Sequence, residues 1–221
     1  MSSVCELWFL IKNIEFYEPE LINIIKYYMN TYTFGTNEEL KDAVCLWNAN
    51  RYKALKQYGH ISYWDVSLIT YMNELFTPFT SGLFDTSLPL PEYNSFNDDI
   101  SRWDVSNVIS MDSMFRYTNK FNQPIGCWDV SSVTNMGHMF CGAIAFNQDI
   151  SKWDVSFVTN TCEMFKDSIK FNQDISKWNI INLKICYKMF YNCSSLTDEN
   201  KNKINFTFQN KFNKNIYSVI F

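Results

Sequence analysis

The chain has 221 residues, 47% of them hydrophobic and 19% charged, with a net charge of −4. That is a globular composition, and it speaks against disorder, against the basic stripe that nucleic-acid binding needs, and against a bilayer span of roughly 20 apolar residues. The aromatic content of 18%, with 7 Trp, 13 Tyr and 19 Phe, calls for a core built of packed rings.

Residues 1–33 are rich in Ile, Tyr and Leu around Pro19 and are expected to form an N-terminal helical extension. The opening MSSVCELWFLIKNIEF lacks the basic start and small-residue cleavage site of a secretory signal, so a cytoplasmic protein is expected. Thr36 followed by Glu39 makes a capping box, and Leu40, Val44 and Trp47 then share one helical face. A helical cap over 34–59 is expected to close the N-terminal end of the repeats.

From residue 60 to 195 the chain repeats itself. Phe96, Phe121, Phe146 and Phe171 are spaced by 25, as are Trp103, Trp128, Trp153 and Trp178, and each phenylalanine precedes an asparagine. Ile125, Trp128, Val130, Val133, Met136, Met139 and Phe140 recur one unit later, with Thr161 the one polar intruder, and a degenerate copy runs from Ile61 through Trp64 to Phe76. Trp128 and Val130 alternate with Asp129 as in a strand, and Val133, Met136, Met139 and Phe140 follow helical spacing. Ser131 or Thr134 would cap that helix and Gly142 would end it. The period and the Ile-x-x-Trp-x-Val frame match leucine-rich repeats. The expected fold is therefore α/β, a leucine-rich-repeat-like solenoid of about five strand and short-helix coils, with one indole per layer at about 4.8 Å.

Fourteen extra residues separate the first two coils, and this insertion, about 77–95, carries Phe79, Leu83, Phe84 and Leu88 among its prolines. It either folds back on the coils or docks a partner. Residues 196–221 are expected to form a mixed C-terminal cap, with a polar helix start at SSLTDENKNKI and strand in INFTFQNKF and NIYSVIF. Ile180, Ile181 and Leu183 in the last coil suggest adaptation to that cap.

Chemistry is sparse in these residues. Asp65, Asp104, Asp129 and Asp154 share a column, and either a cation or interleaved Arg102, Lys152 and Lys177, with serine and amide donors, would offset their repulsion. Seven cysteines without C-x-x-C pairs read as reduced thiols used as small hydrophobes, and the methionine column reads as core. His60 and His138 fall in different columns, and no phosphate loop or nucleophile–base pair can be assembled. No enzyme, no cofactor and no metal site are expected. What varies between units is the turn that reads RYTNK, CGAIA, KDSIK and YNCSS from residues 116, 141, 166 and 191. Recognition would live there, with Arg116, Tyr117, Lys166 and Tyr191 as contact residues.

The units, such as FNQDISKWDVSFVTNTCEMF, resemble the BspA-like surface-protein repeat over about residues 60 to 193. The lead-in from Phe34 also looks like the segment found before such repeats in protists and large DNA viruses. The resemblance implies a non-enzymatic interaction or structural repeat protein with protein partners, and, if viral, a minor virion component. EPELINIIKYYM is similar to an F-box helix, which gives the alternative of an intracellular adaptor whose repeats choose a client.

Overall fold

The computed structural model describes residues 31–77, 95–212 and 220–221. Helix α1 spans Asn37–Ala49 and is capped by Thr36, whose Oγ1 accepts from Glu39 N–H at 3.1 Å, while Glu39 Oε2 reaches one residue further back than a capping box has it, to Gly35 N–H at 3.0 Å. Its buried face is Leu40, Ala43, Val44 and Trp47. Asn50 ends α1 and caps α2 (Arg51–Tyr58), accepting from Lys53 N–H at 3.0 Å, and Gly59 at φ 73° lets the chain leave α2. A single 3-10 turn, Ile61–Tyr63, leads into the repeats, and α3 (Asp198–Phe212) succeeds them.

Among the described residues there is no strand, and the repeats contain no helix. The expected α/β leucine-rich-repeat solenoid is therefore wrong, and the reason is local. In the segment expected to be helical, Met114, Arg116 and Thr118 donate three residues back, to Met111, Ser113 and Phe115. The alternate amides of Met111, Ser113, Phe115 and Tyr117 donate instead to Asn135, Gly137, Met139 and Cys141 of the next unit, at 2.8–2.9 Å. Two residues per turn adopt left-handed backbone, Ser113 (φ 57°) and Tyr117 (φ 60°) in the second unit, His138 and Gly142 (φ 54° and 71°) in the third. A left-handed residue every fourth position interrupts a right-handed helix. Neither Ser131 nor Thr134 caps a helix, and Gly142 ends none.

The units stack in parallel. Isolated bridges join Tyr71, Ser110, Asn135, Asn160 and Ile185 in succession. Phenylalanines make the ring column: Phe76, Phe115, Phe140, Phe165 and Phe190 repeat at 5.3–5.6 Å with nearly parallel planes, and each of Phe115, Phe140 and Phe165 meets Phe121, Phe146 or Phe171 at 3.9–4.0 Å. Tryptophan has another task. The indole N–H groups of Trp103, Trp128, Trp153 and Trp178 donate to the carbonyls of Ile61, Ile100, Ile125 and Ile150, tying every unit to the one before at 2.9–3.2 Å. The expected indole stack at 4.8 Å is replaced by one pair, Trp64 and Trp103, at 6.4 Å.

The FNQ motif supplies a second ladder on the surface. Asn122, Asn147 and Asn172 donate their backbone N–H to the side-chain oxygens of Asn97, Asn122 and Asn147 at 2.8–2.9 Å. Gln123, Gln148 and Gln173 each donate to an asparagine carbonyl of the previous unit. Thr197 and Asn200 complete the pattern on Asn172, so α3 begins where a further unit would sit. Thr207 Oγ1 then donates to Ser176 O at 2.8 Å, and Lys211 Nζ to Ile181 O, which docks α3 on the last unit. The strand expected in INFTFQNKF is helix instead, because Ile204 and Phe208 lie four apart and are both buried. At the other end Asp98 receives the Trp47 indole at 2.9 Å and a bidentate contact from Arg51.

Candidate functional site

Stacking aligns the variable turns into one surface. Tyr117 N–H donates to Cys141 O at 2.8 Å, Gly142 N–H to Lys166 O at 2.7 Å, and Asp167 N–H to Tyr191 O at 2.9 Å. Arg116, Cys141, Lys166 and Tyr191 are thus consecutive members of one column, and Tyr117, Gly142, Asp167 and Asn192 of the next. Four of the expected contact residues, Arg116, Tyr117, Lys166 and Tyr191, come together on this face. Phe79, Leu83, Phe84 and Leu88 lie outside the described residues, as do the F-box-like segment and most of the insertion.

Tyr117 is 39% exposed and its ring lies across Gly142, where an added Cβ would meet Tyr117 Cδ1 at 2.4 Å. The Arg116 guanidinium sits over the same ring at 4.9 Å and donates to Tyr117 Oη at 3.3 Å. Lys166 Nζ pairs with Glu163 Oε2 at 2.9 Å. In the last unit Lys188 lies 5.1 Å from the Tyr187 ring and 5.2 Å from that of Tyr191, both rings being about half exposed. Cation–aromatic pairs of this kind contribute about 0.5–1 kcal/mol each at exposed sites and hold long side chains in place.

The remaining candidate groups have structural partners. Asp65, Asp104, Asp129 and Asp154 each accept from the backbone N–H of the serine two residues on, at 2.9–3.1 Å. The serine hydroxyl first, then that N–H, holds Asp65, Asp129 and Asp154 below the ordinary carboxylate range, and Asp129 pushes the other way on Asp154. Of the interleaved arrangement expected for this column, the serine and amide donors are present, but among the described residues no ion pair joins it to Arg102, Lys152 or Lys177. No group of three or more His, Cys, Asp or Glu arranged for a metal occurs among the described residues.

His60 Nδ1 accepts from Ser62 N–H at 3.3 Å, and its ring meets Trp47 edge-on. His138 lies between Asp112 and Glu163, 3.9 Å from each, but through different ring nitrogens, so one ion cannot be chelated by all three. Cys141, Cys186 and Cys193 are buried as expected, and the Cys193 thiol, which donates to Phe165 O at 2.8 Å, is pushed up to about 12 by burial. Cys127 departs from the expectation and is exposed. The methionine column is fully buried. A shallow cavity of 370 Å³ lies between α1 and the first unit, beside Asn37, Lys41 and Tyr71. Asn37 Oδ1 accepts there from Thr70 and Tyr71 N–H, so its walls are part of the packing of α1.

Repeated units stacked in parallel and closed by helices define a repeat protein. The chain belongs to the family described as Mycoplasma protein of unknown function, DUF285, whose model matches residues 30–132 and again 124–219. Neither the curated proteins nor the solved structures contain a match. The family match names no virus, and the viral origin and virion role expected from the sequence find no support in it. Among the described residues no helix is long and apolar enough to cross a membrane.

Proposed function

We propose that this chain is a non-catalytic repeat scaffold that binds a protein partner through its variable turns. The observation that carries this reading is the division of labour along each unit. The buried columns repeat with little change, whereas residues 116–120, 141–145, 166–170 and 191–195 differ from unit to unit and are brought side by side. Repeat proteins recognise partners through surfaces assembled in this way. The likeness of the units to BspA-like surface-protein repeats supports the same reading at a finer level.

The test exploits the register. Tyr117→Asn, Ile144→Ser, Lys166→Tyr and Tyr191→Lys each install a residue type that another unit already carries in the same column, so folding is retained. Cross-linking mass spectrometry in the native source should place partner cross-links on the turns of the wild-type chain and lose them in the combined variant, while that variant still unfolds in one cooperative urea transition. Full retention of the partner by that variant would place binding elsewhere.

A further inference from the structure

The third unit is the low point of the turn face. Its turn reads CGAIA where its neighbours read RYTNK and KDSIK, and Cys141, Gly142 and Ala143 are all buried. Backbone bonds fix what surrounds it. Cys141 sits between Arg116 and Lys166 in the stacking register, and Ala145 N–H donates to Asn119 O while Lys170 N–H donates to Ile144 O, both at 3.1 Å, so Ala145 sits between Lys120 and Lys170. Short side chains flanked by long cationic ones leave a depression. Its floor is the Tyr117 ring on Gly142 together with Ile144, which is 41% exposed.

Two carboxylates lie near these cations, Glu163, which acts on Arg116 as well as Lys166, and Asp167, beside Gly142 in the stacking register. Lys166 has Glu163, but among the described residues no ion pair reaches Arg116, Lys120 or Lys170. Arg116 Nε is buried without a hydrogen-bond partner, and the guanidinium donates to Tyr117 Oη rather than to a carboxylate. Lys120 and Lys170 are exposed. Three cations without an ion pair, only partly offset by Glu163 and Asp167, give this small area a sign opposite to the chain's net charge of −4. They are too few for the extended basic surface of a nucleic-acid binder, or for the four to eight clustered cations that anionic membranes attract. An apolar floor between cationic walls matches a peptide carrying carboxylates on either side of an apolar residue.

We propose that this depression docks an acidic segment of the partner protein, its carboxylates meeting Arg116, Lys120 and Lys170 and its apolar side chain covering Tyr117 and Ile144. The proposal rests on the turn-face reading and adds the partner's chemistry to it. Lys120 and Lys170 are two units apart, about 11 Å by the 5.6 Å repeat of the phenylalanine column. An extended segment rises about 3.4 Å per residue and alternates its side chains, so acidic residues four apart, about 14 Å along one face, bridge them through the reach of the Glu and Lys side chains.

Fluorescence anisotropy with a labelled synthetic peptide, glutamates placed two residues before and two residues after a leucine, is the probe. The wild-type chain should bind it with an affinity that falls steeply with salt, and the glutamine version of the peptide should bind at least tenfold more weakly. Lys120→Glu with Lys170→Glu should weaken binding at least tenfold, whereas Lys152→Glu with Lys177→Glu, exposed lysines outside the turn, should leave it within twofold. Equal binding by both double variants, or no wild-type binding, overturns the proposal. Tighter binding of a single-stranded oligonucleotide or a phosphatidylserine vesicle, lost in the first variant, also overturns it, in favour of that ligand. Native cross-links on the turns with no peptide binding would sink the acidic chemistry alone. Cross-links elsewhere would sink the turn-face reading itself.

Discussion

Replacing Gly142 by Ala probes the turn face at its tightest point. Gly142 has φ 71°, and left-handed backbone costs an L-residue roughly 1–2 kcal/mol. Yet Tyr117, Asp167 and Asn192 occupy the same column at φ 60°, 60° and 61° without glycine, so conformation alone does not require one here. What glycine provides is room beneath Tyr117, whose Cδ1 would stand 2.4 Å from the new methyl. The ring must move and give up its contact with Arg116, a loss of about 0.5–1 kcal/mol plus the ring's own packing. Gly142→Ala should therefore cost about 2–3 kcal/mol, and only about 1–2 kcal/mol in a Tyr117→Asn background where the ring is gone. Urea denaturation of the four proteins in this cycle measures the difference. Equal costs in both backgrounds would mean that backbone strain explains the glycine and that Tyr117 does not rest on it.

Trp153→Phe removes the indole donor now 3.2 Å from Ile125 O, which keeps the Trp128 N–H at 3.1 Å, so the loss should cost about 0.5–1.5 kcal/mol by the same denaturation assay. Asp65, Asp99, Asp129, Asp149, Asp154 and Asp174 are all held below their ordinary pKa, first by a serine hydroxyl. A lowered folded value means that their contribution is complete above the unfolded pKa of about 3.9 and is lost as the pH falls through the folded values. Urea midpoints should accordingly drop below about pH 4, and drop less for Ser131→Ala with Ser156→Ala; equal drops would remove the serines from the explanation. Iodoacetamide at mildly alkaline pH should modify exposed Cys127 first and leave Cys193, held near 12, unmodified until the chain unfolds.

The period of 25 and the buried columns were legible in the sequence because each unit restates the same apolar positions, and Ile125, Trp128, Val130, Val133, Met136, Met139 and Phe140 are buried as that pattern requires. The helix cap at Thr36 was legible for the same reason: its residue types have one local use. The helix expected after each tryptophan was not there because Met136, Met139 and Phe140 mimic helical spacing while every second amide between them bonds to the next unit. Left-handed residues in those turns are Ser113, His138, Glu163, Lys188, Tyr117, Asp167 and Asn192, with glycine only at 142, so no residue type marked the break. INFTFQNKF misled through its alternation, since Ile204 and Phe208 also fit one helical face. The task of tryptophan was hidden because its partner is a backbone carbonyl, which has no sequence signature.

Native-state hydrogen exchange at the turn amides tests the stacking most directly. Met111, Ser113, Phe115 and Tyr117 donate to the third unit, and Met136, His138, Phe140 and Gly142 to the fourth. These eight amides should exchange only with global unfolding, slowed by a common factor. Fast exchange there, alongside protected amides in α1 and α3, would mean that the units do not lie in register, and the continuous turn face would fall with them.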